Sequence, residues 1–107
     1  MQAVLLIIQK ERLFDFNTFV STLRKQYGTS LIEVDNYSDV TMQNFAAEAI
    51  NATEEPIKVY FYAEEDISPG SVVKLVQVLS KQKRRIEDVV FKGENRFFKQ
   101  FKTVLQP

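Results

Sequence analysis

Ala3-Val4-Leu5-Leu6-Ile7-Ile8 is six apolar residues in a row, with no polar residue to mark a solvent face. A half-exposed strand alternates apolar and polar side chains, whereas an unbroken run rich in Val, Leu and Ile reads as a strand covered on both faces. Two covered faces require helices above and below a parallel sheet. Working outward, Leu31–Val34, Ile57–Ala63 and Ile86–Phe91 have the same β-branched and aromatic character and read as three further strands.

Helical patterns fill the intervals. Phe16, Phe19, Val20, Leu23 and Tyr27 form the first, which ends at Gly28, a residue suited to the left-handed conformation that stops helices. Met42, Phe45, Ala46, Ala49 and Ile50 follow the spacing i, i+3, i+4, i+7, i+8 and predict one inward stripe. Ser68 and Pro69 read as the N-cap and first-turn proline of a third helix, continued by Val72, Leu75, Val76 and Leu79. Asn95 reads as the cap of a fourth, burying Phe98, Phe101 and Leu105.

The order β-α-β-α-β-α-β-α, with connections long enough for right-handed crossovers, predicts a small three-layer α/β/α domain spanning residues 1–107. The short second strand carries Glu33 in its middle and suits an edge. The expected sheet is four-stranded and mostly parallel, in the order 2-1-3-4, with a switch point between the first and third strands. The expected core is Ile7, Val20, Phe45, Val59, Phe61, Val76, Val90 and Phe101.

At 107 residues, 45% apolar and 26% charged, the chain has the size and composition of one globular unit. With neither cysteine nor histidine it offers no disulfide, no thiolate zinc site, no cysteine nucleophile and no imidazole base. The apolar run at 3–8 falls far short of the ~18–20 residues that span a bilayer, and no basic region precedes it as in a signal peptide, so a cytoplasmic protein is expected. No cofactor motif is present: the Gly70 segment lacks the spaced glycines and the Lys-Ser/Thr pair of a phosphate loop.

Charge is unevenly distributed. Residues 1–73 hold 5 basic and 11 acidic side chains and residues 74–107 hold 9 and 3, so the two parts carry −6 and +6. In a parallel sheet Glu11, Asp35, Asp39, Glu64, Glu65, Asp66 and Glu94 crowd the edge where strands end and helices begin. There they favour the helix N-termini and repel phosphate.

Four groups of residues are candidates for a site. Glu64, Glu65 and Asp66, with Glu11, are hard oxygen ligands suited to a divalent metal. An acidic edge in a 2-1-3-4 sheet is similar to the pocket of response-regulator receiver domains, although here the first strand ends in Gln9-Lys10-Glu11 without an acidic pair. Asp66-Ile67-Ser68-Pro69-Gly70-Ser71 resembles the strand-to-helix junction of STAS regulatory domains, and that resemblance implies Ser68 or Ser71 as a phosphorylation site. Pro69 interrupts the STAS motif, and the β-α unit preceding it departs from that family's layout. Lys81, Lys83, Arg84 and Arg85 form the densest basic run, a possible contact surface for phosphates, but a pI near 6.3 argues against a dedicated nucleic-acid binder. Phe97 and Lys99 are candidates for a protein interface, because only one of the adjacent Phe97 and Phe98 can point fully inward.

The reading that unites these observations is a non-enzymatic interaction or regulatory module with a protein partner, self-associating as a homodimer. A divalent-metal enzyme centred on Glu11, Glu64, Glu65 and Asp66 is the alternative, and weak nucleic-acid contact through Lys81–Arg85 a further one.

Overall fold

A computed structural model describes residues 1–10, 18–64 and 66–106. The expected architecture is present. Strands β1 (Gln2–Ile8), β2 (Leu31–Asp35), β3 (Ile57–Ala63) and β4 (Ile86–Gly93) alternate with helices α1 (Thr18–Tyr27), α2 (Val40–Asn51), α3 (Val72–Ser80) and α4 (Phe98–Leu105). The sheet has the order β2-β1-β3-β4 and every pair is parallel. Glu11 and Glu65, named above as metal ligands, and Phe16 of the first helical pattern lie outside the described residues.

Strand order and handedness together dictate how the helices divide. The β1-to-β2 connection moves one way across the sheet, and the connections from β2 to β3 and from β3 to β4 move the other way. With right-handed crossovers a reversal of direction changes the face. Accordingly α1 packs alone on one face, through Val20 and Leu23 against Leu5 and Ile7, with Phe19, Tyr27, Tyr60 and Tyr62 around them. The other face carries α2, α3 and α4 over Val4, Leu6, Ile8, Val59 and Phe61. Every residue of β1 is buried, which explains its unbroken apolar run. On the three-helix face α3 touches both α2 and α4, while α2 reaches β2 and α4 reaches β4.

The centre of the main core is aromatic. Phe61 is fully buried and stacks on Phe91 at 4.9 Å and Phe101 at 5.4 Å, with Phe98 tilted against it at 5.8 Å.

Several local expectations are corrected. Phe45, expected inside, is 70% exposed, and Met42 is 49% exposed. Only two of the five residues of the predicted stripe on α2, Ala46 and Ile50, are buried in the core. The third buried position is Gln43, whose Nε2 donates to the Ser38 carbonyl at 2.9 Å and the Ser71 hydroxyl at 2.8 Å. That polar anchor fixes the rotation of α2. Val90 is only half-buried, because among the described residues no helix on the α1 face reaches β4.

α3 begins at Val72 rather than just after Ser68. Gly70 stands between them with φ +51, a conformation no helix continues through, and a Cβ there would lie 2.4 Å from the Asn36 carbonyl oxygen. The chain passes this close because the Ser71 amide donates to that same carbonyl. Asn95 sits two residues ahead of the first cap position of α4. Its Oδ1 accepts from the Phe97 amide at 3.0 Å and its Nδ2 donates to the Ile67 carbonyl at 3.0 Å, so it shapes the turn into the helix.

Candidate interaction surface

The carboxyl-terminal edge of a parallel sheet is where α/β domains usually bind ligands, because the chain diverges there at the switch point. Here the polar groups at that edge are engaged with one another. Asn36 clasps the end of β1 from both sides, its Oδ1 accepting from the Gln9 amide and its Nδ2 donating to the Gln9 carbonyl, each at 2.9 Å. Asp35 Oδ1 accepts from the Tyr37 amide at 2.8 Å and the Ser38 hydroxyl at 3.2 Å. The Tyr37 hydroxyl donates to the Lys10 carbonyl.

The predicted acidic and serine residues divide between exposed and internally bonded ones. Glu64 is exposed at the end of β3. Asp66 Oδ1 accepts from the Arg96 amide at 2.8 Å and from Arg96 Nε at 3.2 Å. These bonds, led by the backbone amide, hold the Asp66 carboxyl below its ordinary pKa. Among the described residues no three Asp or Glu side chains gather as metal ligands would. The Ser71 hydroxyl donates to the Ser38 carbonyl at 2.5 Å while accepting from Gln43, so it knits α2 to α3 rather than facing solvent as an acceptor for phosphate. Ser68 is exposed on the connection between β3 and α3.

At the opposite edge the basic run divides into two roles. Arg85 is a structural clamp. Its Nε donates to the Glu55 carbonyl at 2.9 Å, one terminal nitrogen reaches the Ile50 carbonyl at 2.8 Å and Gln82 Oε1 at 3.4 Å, and the other reaches Gln2 Oε1 at 2.9 Å and Thr53 Oγ1 at 3.3 Å. A planar guanidinium is suited to this, since its five donors fan out in one plane. It joins β1, the C-terminal turn of α2 and the start of β4. Lys81, Lys83 and Arg84 line an open depression of about 950 Å³ with Glu54. Among the described residues no carboxylate lies within ion-pair distance of these three.

Phe97 and Lys99 differ in exposure. Phe97 packs against the main core and stacks on Phe101 at 6.3 Å, whereas Lys99 is exposed.

Phe45 and Val40, the most exposed large apolar side chains among the described residues, are on α2. Val40 is 63% exposed, and Met42, Phe45 and the half-buried Ala49 follow each other at i, i+3 and i+7 along one flank. The opposite flank is turned to α3, since Asn44 accepts from Lys74 Nζ at 3.3 Å and Asn51 accepts from Gln82 Nε2 at 3.0 Å. Met42 and Phe45 therefore project past α2 on the side of the sheet's β2 edge. Tyr37 is 46% exposed at the top of the same edge. Residues 31–55, which build this side, contain Glu33, Asp35, Asp39, Glu48, Glu54 and Glu55 and no lysine or arginine. Two signals in the sequence point to this surface: an apolar arc on α2 too wide for one buried face, and a stretch of 25 residues bearing acids without a single base.

Among the described residues no helix is long and apolar enough to cross a membrane. No family model matches the chain, and no curated protein or solved structure matches it either.

Proposed function

We propose that this chain is a non-enzymatic interaction module of the cytoplasm, and that it binds a partner protein through the exposed flank of α2. The observation that carries the reading is Phe45. A phenylalanine 70% exposed on the same helix flank as Met42 and Ala49 is an apolar surface rather than a scattered side chain. An aromatic residue of this kind is a typical anchor of a protein interface.

The acidic surroundings define the partner. An apolar patch with Asp39 and Glu48 on the same helix or at its cap, and no basic residue between 31 and 55, complements a helix or groove that is apolar at its centre and carries Lys or Arg at its rim. The engagement of Asn36, Asp35, Ser71 and Asp66 in internal bonds supports a role without chemistry at the customary edge.

Selection of a displayed library of helical peptides on the immobilised domain tests this. Enriched peptides are expected to combine an apolar stripe with Lys and Arg, to weaken with salt, and to lose at least about tenfold in affinity for Phe45→Ser, as anchor residues do. No enrichment, or binders indifferent to Phe45→Ser and Met42→Ser, overturns the proposal.

A further inference from the structure

The β4 edge has a property that the β2 edge lacks. Where α1 leaves the sheet uncovered, β4 presents Asp88, Val90 and Lys92 on one face, aligned with Lys58, Tyr60 and Tyr62 of β3. Asp88 and Lys92 are exposed and Val90 is half-buried. Reading along the strand, the sequence is negative, apolar, positive. A second β4 laid antiparallel about a two-fold axis through Val90 places Asp88 opposite Lys92, Val90 opposite Val90, and Lys92 opposite Asp88. Such an isologous contact satisfies both copies at once.

The backbone is in phase with this pairing. The Val89 amide is bonded to the Asp88 carboxylate at 2.9 Å, so Val89, and with it Phe91 two residues on, turn their backbone groups outward. In the two-fold arrangement Val89 and Phe91 form the hydrogen-bonded pairs, and 88–92 and 90–90 the close pairs where side chains meet. The Phe91 carbonyl of the second copy takes over the Val89 amide and releases Asp88 to face Lys92. The β2 edge is the contrary case. Its residues on the α1 face are Leu31, Glu33 and Asp35, so pairing centred on Glu33 or on Val34 sets acid against acid. Glu33 is already held by Arg24 at 2.8 Å.

We infer that two copies of this chain join through β4 into one continuous sheet with the order 2-1-3-4-4-3-1-2. An axis perpendicular to the sheet keeps both three-helix layers on one side. The outer β2 strands are then seven strand spacings apart, about 34 Å. The two α2 flanks become a bivalent surface of that span, and a partner with two matching sites gains by avidity. Self-association stands on the β4 edge alone and is separable from the use of α2.

Sedimentation equilibrium of the full chain from about 1 to 300 μM is expected to show a dimer. Asp88→Lys and Lys92→Asp each turn two symmetry-related attractions into repulsions, and each is expected to raise the dissociation constant at least about tenfold. The double variant restores the complementarity in reverse and is expected to return within about threefold of the parent. Circular dichroism establishes that each variant is folded. Because the chain has no cysteine, Val90→Cys adds an independent readout: facing Cα atoms about 4.5 Å apart lie within disulfide range, so mild oxidation yields a covalent dimer, whereas Val73→Cys on α3 does not. A monomer at every concentration, single variants without effect, a double variant that fails to restore, or cross-linking equal at positions 90 and 73 overturns the inference.

Discussion

Arg85→Ala is expected to destabilise the domain far more than removal of a surface cation should. The five acceptors around its guanidinium divide by exposure. Glu55, Gln82 and Thr53 are reached by solvent, and water replaces the lost donors there at small cost. Gln2 is 8% exposed and Ile50 is fully buried, so Gln2 Oε1 and the Ile50 carbonyl lose a donor where water enters poorly. A buried acceptor left unsatisfied costs about 1–3 kcal/mol. Two of them set the expected loss at roughly 2–6 kcal/mol, a large share of the ~5–15 kcal/mol that holds a domain folded. The melting temperature should fall by at least about 8 °C, at ~4–8 °C per kcal/mol for a chain of this size. Arg85→Lys should recover only part of this, since one ammonium cannot span acceptors on β1, α2 and the loop after it. Urea unfolding followed by circular dichroism measures both, with Arg84→Ala as the control expected within ~0.5 kcal/mol of the parent. A loss below ~0.5 kcal/mol for Arg85→Ala would refute the clamp and return Arg85 to the surface basic cluster.

Phe61→Ala removes a fully buried ring stacked on Phe91 and Phe101, and an equilibrium unfolding loss of about 3–5 kcal/mol is expected. Gly70→Ala meets both a positive φ and the Asn36 carbonyl, so its loss should exceed the ~1 kcal/mol typical of φ alone; thermal melts read the difference. Burial, and next the hydrogen bond shared with the Tyr27 hydroxyl at 2.7 Å, push the Tyr60 hydroxyl up to about 12. A phenol whose folded pKa is raised favours the folded state below its unfolded pKa near 10, and this contribution is lost as pH rises from there through 12. Tyr60→Phe should flatten the fall in stability between pH 10 and 12 seen by denaturant titration.

The strands were legible because their environment writes directly into the sequence. A strand covered on both faces admits no polar residue, and β1 has none between Ala3 and Ile8. The short β2 with its internal Glu33 marked itself as an edge, and once one edge is known, the direction of the crossovers leaves little choice of order. The orientation of α2 was not legible for a physical reason. Ala46, Ala47 and Ala49 are small enough to sit at a helix–sheet contact or in solvent, so the apolar arc has no unique centre. What fixes it is Gln43, a polar residue buried because Ser38 and Ser71 supply its partners. Ser71 lies 28 residues away, beyond the reach of any local pattern. Ser68-Pro69 is a sound helix start in isolation, and it is overruled by the approach of Gly70 to Asn36, again a contact between distant segments.

The same distinction governs the candidate sites. Residue type and spacing singled out acids, serines and a basic run, but these types serve internal bonding as readily as function. Asp66 spends its carboxylate on Arg96, Ser71 its hydroxyl on Ser38, and Arg85 its guanidinium on groups as far as 83 residues away in sequence. What remains unspent is different in kind: an apolar flank on α2 in an acid-only stretch, and a strand edge whose charges repeat in reverse. Neither is a motif, because neither depends on an exceptional residue. Both arise from topology, since among the described residues the order 2-1-3-4 leaves β4 without a helix on one face and places α2 at the end of its layer. In such a fold the surfaces open to partners are the ones that strand order leaves uncovered, and a single substitution at Phe45, Asp88 or Lys92 should affect association while leaving stability within ~0.5 kcal/mol.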